Sequence, residues 1–431
     1  MNKRFIRTAL TPALLSLTMG MALSSVAWAE SEEAFHASQS ARAKATEAFR
    51  ANDLNAALAA MEEALRHRPG HALLLANVAY LAAATGDGGR AVEAAKEYAA
   101  LGLVPGAAIR DKIKQAITPN AWRTLEAAFE KNTTPVSFPW IEAALPADLE
   151  LVEGIALGED DTLYAATVVS GGIYRVERGK ATLLVDAKQH EFGSFFAIMM
   201  HEGALYATFA RVEQTPGHEG DEGQTGLAKI DPKTGDILFT WVLPGGTADQ
   251  QIADLTVTDD GTIYLSDAQG KKVWRVVGEG LDLAFSHNGF MSPQGIVKLP
   301  QIGLILADYG RGLWLLDEGT GNVTLMDPPE DTTLLGIDGL IAHKCKLVAI
   351  QNGVSPQRIV EVSFVGTTIS GVTVIAQELE GWFEPTLGVS TPRGILYVAA
   401  SQWPKYGKWG AIREGHAEPA PTPIMFLQDR D

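Results

Sequence analysis

The chain has 431 residues, 46% of them apolar, and a formal net charge of −17. That length exceeds one ordinary domain, and that apolar share belongs to a chain with a packed core, not a disordered one. The acidity excludes a nucleic-acid-binding surface, which phosphates would repel, and argues against anionic lipid; its plain use is solubility.

The first residues read as an export leader. Lys3, Arg4 and Arg7 make a basic start, an apolar run follows from Ala9 to Val26, and Ala27-Trp28-Ala29 is an A-x-A cleavage site. Residues 1–29 are therefore expected to be a secretory signal peptide, with an uncleaved anchor as the rival reading, and the mature protein to be periplasmic or secreted. Loss of the leader's three positive charges takes the net charge from −17 to −20. No later stretch reaches the roughly 18–20 apolar residues of a spanning helix, so no membrane span is expected in the mature protein. Cys345 is the single cysteine. An exported chain with one cysteine forms no internal disulfide. Its strand-like setting, KCKLVAI, reads as a structural thiol, packed or half-exposed.

Residues 31–131 are rich in Ala, Glu, Arg and Leu and poor in strand formers. Slid by 34 positions, NDLNAALAAMEEAL (52–65) falls on GDGGRAVEAAKEYA (86–99). A 34-residue helix–turn–helix with small residues at the crossing resembles the tetratricopeptide repeat. About two such units are expected, then one further helix near 108–130. A plain helical bundle and a peptide-binding groove are the alternatives, and a structural or docking role suits so short an array. Its apolar ends are expected to pack on the neighbouring domain.

After a linker, KNTTPVSFP (131–139), the texture changes to short alternating runs rich in Val, Ile, Tyr, Trp and Gly, which is strand behaviour. One pattern recurs six times, its innermost strand beginning at Glu153, Phe196, Ala253, Gln294, Asp338 and Pro385, at intervals of 43, 57, 41, 44 and 47 residues. The long interval holds an acidic, Gly-rich insertion, VEQTPGHEGDEGQTG (212–226), which reads as a surface loop. Each unit offers a third strand and four offer a fourth. The expected architecture over 138–431 is a six-bladed β-propeller, mainly β, preceded by the α-helical tetratricopeptide-like domain. FPWIEAAL (138–145) is expected to complete the last blade.

In a propeller the starts of the innermost strands and the loops between second and third strands share one mouth of the central channel, which defines the candidate pocket. Glu153, Asp254, Gln294, Asp338 and Glu384 gather there. Carboxylates and an amide aimed at one axis repel one another unless a cation sits between them, and an oxygen-only set suits a divalent metal, calcium above all. The plainer reading is a set of strand-start polar residues with no common site. The loops add Asp267, Gln269, Asp308, Tyr309, Arg311, Asn352, Arg358, Gln402, Trp403 and Tyr406. Of these, Tyr309, Arg311, Asn352, Arg358, Gln402 and Trp403 are the candidates to contact a sugar lactone or sugar acid, while either arginine could equally be a structural tie. His201 and His343 fall toward the opposite mouth, and His287 could overlook the pocket.

At this level the region from about 147 to the C-terminus resembles the gluconolactonase, senescence-marker-protein and regucalcin-like six-bladed propellers, and more distantly the paraoxonase-like enzymes. Glu153-Gly154-Ile155-Ala156-Leu157 matches that family's E-G-x-x-W except at the aromatic. Asp338-Gly339 matches its metal-binding D-G. Gln294-Gly295 stands for an N-G pair, and Ala253, followed by Asp254, stands where an Asn is usual. The resemblance implies a divalent metal held by Glu153, Gln294 and Asp338, and a metal-assisted hydrolase of lactones or related esters with Asp338 or Asp254 as base. The alternative is a non-catalytic propeller that binds a small ligand or protein, with the helical repeats as a second docking surface.

Overall fold

The computed structural model describes residues 31–177, 179–217, 223–245 and 249–429; the expected leader lies outside them. Six helices come first: α1 (Glu32–Arg50), α2 (Leu54–His67), α3 (Ala72–Thr85), α4 (Gly88–Ala100), α5 (Ala107–Ala116) and α6 (Pro119–Asn132). The 34-residue repetition has a local cause. Asp53 and Asp87 cap α2 and α4, each accepting a hydrogen bond from the N–H three residues on. Before each of them the backbone turns left-handed, at Asn52 (φ 59°) and Gly86 (φ 87°), which ends the preceding helix. Ala57, Ala64, Ala91 and Ala95 are buried where the helices cross, as the small residues of the repeat require.

The helix expected near 108–130 is two helices. Pro119 disfavours helical backbone at the residue before it; Ile117 and Thr118 are extended. Thr118 then caps α6 through the Ala121 N–H, with proline in the first turn, where its missing donor costs nothing.

Six four-stranded antiparallel sheets come next. Their innermost strands are Val152–Leu157, Ser194–His201, Ile252–Val257, Pro293–Leu299, Ile337–His343 and Gly388–Thr391. Each packs on the next, and the last on the first, so the sheets form a closed six-bladed propeller. Trp140–Leu145 pairs with Thr422–Gln428 as the outer strand of the last blade, so the two ends of the propeller close the ring with backbone hydrogen bonds. The fourth strand of blade four, Val323–Leu325, has three residues and is too short to leave a period in the sequence.

The helices dock on the propeller at blades four and five. Val104 N–H donates to the Ser355 carbonyl at 2.7 Å, and Gln377 Nε2 donates to the carbonyls of Asn132 and Thr134 at 3.1 and 2.8 Å. Leu335 and Val354 pack into the helical core. The Arg311 guanidinium lies 3.7 Å from the centre of the Phe35 ring. Cys345 is a correction: it is exposed, at the tip of the hairpin that pairs His343 with Lys346. Its φ of 62° belongs to the turn.

Gly154, Gly295 and Gly339 allow the innermost strands to approach one another. A methyl group at Gly154 would lie 2.5 Å from the Phe196 carbonyl oxygen, and one at Gly339 2.5 Å from that of Thr386. Gly154→Ala and Gly339→Ala are therefore expected to lower stability by about 2–4 kcal/mol each. Gly89→Ala, in the first turn of α4 with Asp87 Oδ1 at an ordinary 3.5 Å, is expected to be neutral or slightly stabilising. Urea unfolding of the three variants checks this.

Candidate functional site at the channel mouth

The innermost strands of blades one to five do not enter their ladders smoothly. The register breaks between Val152 and Gly154, Phe195 and Ile198, Ile252 and Asp254, Pro293 and Ile296, and Ile337 and Gly339. The residues left over are Glu153, Phe196-Ala197, Ala253, Gln294-Gly295 and Asp338. A bulge re-aims the extra side chain away from the ladder, and these are the positions the repeat singles out. The residue after each anchor sits between two blades. It is Gly154, Ala197, Gly295 and Gly339 in four of them, Asp254 in blade three and Thr386 in the last.

This register explains Asp254. It occupies the glycine position, so its side chain reaches across to blade four. Its Oδ2 accepts from Ile296 N at 3.0 Å and its Oδ1 from Leu255 N at 2.8 Å. Burial between the blades raises its ionisation to about 7, against the pull of those two N–H donors and with a further push from the Asp338 charge. Asp254 is thus an inter-blade tie in the wall of the channel. Thr386 does the same at the last junction, donating to the Glu153 carbonyl at 2.8 Å.

Three carboxylates remain for the mouth. Glu153 Oε2 accepts from the Trp403 indole N–H at 2.6 Å. Asp338 Oδ2 accepts from Asn352 Nδ2 at 2.6 Å, and Asn352 Oδ1 accepts from the Tyr309 hydroxyl at 3.0 Å. Glu384, only a neighbour of the Pro385 anchor in the sequence, joins them. Its backbone is left-handed, φ 66°, held by Gln357 Oε1 on its N–H at 3.1 Å and by the Ser401 hydroxyl on its carbonyl at 2.8 Å. No period or motif marks that turn, so the sequence could reveal Glu384 only by adjacency. Burial raises the ionisation of all three, and repulsion adds to it for two: Glu153 feels Asp338, Glu384 and Asp254, against the pull of the Trp403 N–H, and Glu384, raised to about 7, feels Asp338. Tyr309 is raised by burial and then by Asp338 and Glu384, so its phenol keeps its proton.

Two coverings lie against this mouth and leave Glu153 buried and Asp338 and Glu384 half-buried. The loop after the second strand of the last blade, residues 399–421, crosses to blades one and two, where Tyr406 is buried among Leu151, Val168, Phe196 and Ala210 and Trp409 N–H donates to the Glu213 carbonyl at 2.7 Å. The helices cover the side of blades four and five.

Other expected ligand groups are spent on the protein itself. Arg358 is buried, with Nε on Gln351 Oε1 at 2.7 Å and Nη1 on the Leu101 carbonyl at 3.2 Å. Arg311 donates to the Gly289 carbonyl at 3.1 Å and stacks on Phe35. Gln402 binds both the N–H and the carbonyl of Ala420. Asp308 accepts from Met291, Ser292 and Gly310 N–H groups, and Asp267 from those of Gln251 and Gly270 and the Trp274 indole. His287 faces Glu32 of α1 at 3.0 Å, and His343 is buried at the opposite mouth between Ser390 and Asp429. Gln294 is half-buried and donates to the Ser292 hydroxyl at 3.1 Å. Among the described residues no group of three or more His, Cys, Asp or Glu converges as a metal cage. The free oxygens at the mouth, on Glu153, Asp338 and Glu384, are nonetheless of the hard kind that calcium takes.

No family model and no curated protein matches the chain. Solved structures do, at low identity. Virginiamycin B lyase from Staphylococcus aureus is 12% identical, covering 66% of this chain and 98% of its own, with a TM-score of 0.44. The PQQ-bound aldose sugar dehydrogenase of Streptomyces coelicolor is 11% identical over 69% and 100%, with a TM-score of 0.46. A protein described as a gluconolactonase is 13% identical over 62% and 87%, with a TM-score of 0.40. Likeness at this level carries nothing about substrate.

The raised carboxyl groups give a signed dependence of stability on pH. A carboxyl whose folded value is raised holds its proton more tightly in the folded chain, so it favours folding below its ordinary range near 4. That advantage is lost as pH rises to about 7, where Asp254 and Glu384 ionise. Unfolding free energy is expected to fall by on the order of 2–4 kcal/mol between pH 4.5 and 7.5. Glu384→Gln, which removes one of these groups, is expected to flatten the slope. Urea denaturation across that range measures both.

Proposed function

We propose that the protein is an exported hydrolase of lactones or related esters that works at the covered mouth of its propeller. The observation that carries the reading is the Tyr309–Asn352–Asp338 chain beside Glu153 and Glu384 in a half-buried mouth. A carboxylate there can take a proton from water as it attacks an ester carbonyl, the role general bases fill. Asp338 is the proposed base, oriented by Asn352. The Tyr309 phenol, kept protonated, donates to Asn352 Oδ1 and so steadies the amide that orients Asp338. Trp403 and Tyr309 offer flat faces to the ring of a small polar ligand. A divalent cation, calcium by the donor set, would be held by Glu153, Asp338 and Gln294 and would polarise the carbonyl. The likeness of Glu153-Gly154 and Asp338-Gly339 to the gluconolactonase-like motifs supports the same substrate class.

One observation favours a second reading, a propeller that binds without catalysis. Arg311, Arg358 and Gln402, all expected to meet ligand, are engaged within the protein. In that reading the tetratricopeptide-like helices are a docking surface for another protein.

Assays of the mature protein on a panel of lactones and aryl esters, with and without chelator, separate these. Asp338→Asn is expected to lower kcat by about a hundredfold with the fold retained. Loss of turnover in chelator, restored by calcium, supports the cation; turnover indifferent to chelator leaves the carboxylates to act alone. A wild-type protein that binds but turns over none of the panel would sink the hydrolase reading in favour of the binding one.

A further inference from the structure

Residues 352–357 of blade five touch both the mouth and the helices. Asn352 begins the segment, donating to Asp338 and, at 2.9 Å, to the Pro385 carbonyl. Val354 packs into the helical core, and the Ser355 carbonyl accepts from Val104 between α4 and α5. Gln357 ends it. Its Nε2 donates to the Asn352 carbonyl at 3.4 Å, and its Oε1 accepts from Glu384 N–H at 3.1 Å. One amide side chain therefore spans the two residues that set the geometry around Asp338. Arg358 comes directly after it. Its guanidinium reaches the Leu101 carbonyl at the end of α4, the Thr333 carbonyl at 3.4 Å and Gln351 Oε1. Gln351, the residue before Asn352, is itself fixed on the Thr333 and Leu335 carbonyls at 2.9 and 2.8 Å.

We infer that the helical region is a positioning element for the mouth, acting through this segment, with Gln357 and Arg358 as positioning residues for Glu384, Asn352 and Asp338. The physical case is one of restraint. A glutamate has no intrinsic preference for left-handed backbone, so Glu384 stays at φ 66° only while its N–H and its carbonyl are held. Gln357 holds the first. Arg358 holds the strand end from which Asn352 and Gln357 are suspended, and it takes its own bearing from the helices. Whatever displaces α4 from the propeller thereby reaches Glu384 through hydrogen bonds already on the path, without touching it.

The catalytic half of this inference rests on the hydrolase reading; the positional half does not, and the test is chosen to keep them apart. Gln357→Met removes both amide contacts at nearly constant volume. Arg358→Lys keeps the charge but loses the fork, which a single ammonium cannot replace. Hydrogen–deuterium exchange of the full chain is read over 380–388 at the mouth, over 98–105 at the helix contact and over 272–284, in the outer strands of blade three, as a remote control. Both variants are expected to exchange about fivefold faster over 380–388, with 272–284 unchanged, although the Arg358 side chain bonds Gln351, Leu101 and Thr333 and acts on 380–388 only through its neighbours. For any lactone or ester turned over by the wild type, kcat is expected to fall about 10–100-fold while KM changes little. Arg358→Lys that loosens 98–105 alone, leaving 380–388 as in the wild type, overturns the inference and makes Arg358 a plain docking tie. Faster exchange at 380–388 in a protein that turns over no ester upholds the positioning and defeats the hydrolase reading separately.

Discussion

The structure depends on how closely six innermost strands approach one axis. At Gly154, Gly295 and Gly339 the neighbouring strand's backbone stands where a methyl group would be, with contacts of 2.5 to 2.7 Å. No side chain can occupy such a place without the blades moving apart, so the pattern of bulge followed by glycine is a steric requirement. The bulge then has a consequence of its own. The extra residue cannot pair, and its side chain is free to turn toward the channel. Carboxylates gather at one mouth because the polar residues of this sequence, Glu153 and Asp338, sit at bulges, and because Glu384 sits in the turn that leads into the last blade.

Carboxylates are costly away from water, and those of this mouth are buried or half-buried because two coverings lie against it. The strap from 399 to 421 brings Trp403 onto Glu153. The helices bring α4 and the segment before α5 onto the loops of blades four and five. The raised ionisation of Glu153, Asp338 and Glu384 comes from burial first and from their mutual repulsion second. The same neighbourhood is what a base with a pKa near neutrality needs, and what a divalent cation would relieve. Stability and function therefore draw on one feature in opposite senses: the group that disfavours the folded chain at neutral pH is the group with chemistry to offer.

The helical region meets the loops beside this mouth through contacts that its own sequence does not mark. Its repeats bury Leu74, Leu75 and Val78 among small residues, which makes a stable array but no site. Its contribution lies in the backbone carbonyl of Leu101 and the N–H of Val104, groups without side-chain identity, which meet Arg358 and Ser355. Contacts made by backbone atoms leave no trace in composition or period.

What the sequence by itself determined is what local repetition can carry. Six anchors, the closing strand FPWIEAAL, the paired helices capped by Asp53 and Asp87, and the bulge positions Glu153, Gln294 and Asp338 all come from spacing, because strand alternation, capping and close approach each demand particular residues at particular offsets. The tertiary structure decided where each polar group points and what it meets. Asp254, one residue past its anchor, bridges two blades through Leu255 and Ile296 while its charge is still felt by Glu153. Arg311, Arg358 and Gln402 are drawn into ties with the helices and the strap. Glu384 enters the cluster from a turn that no pattern marks. The fourth strand of blade four and the break at Pro119 divide in the same way: the proline's constraint is local and was there to be read, whereas three residues become a strand only because a neighbouring strand offers them partners. A side chain's role depends on which element arrives opposite it, and only the folded chain brings those elements together.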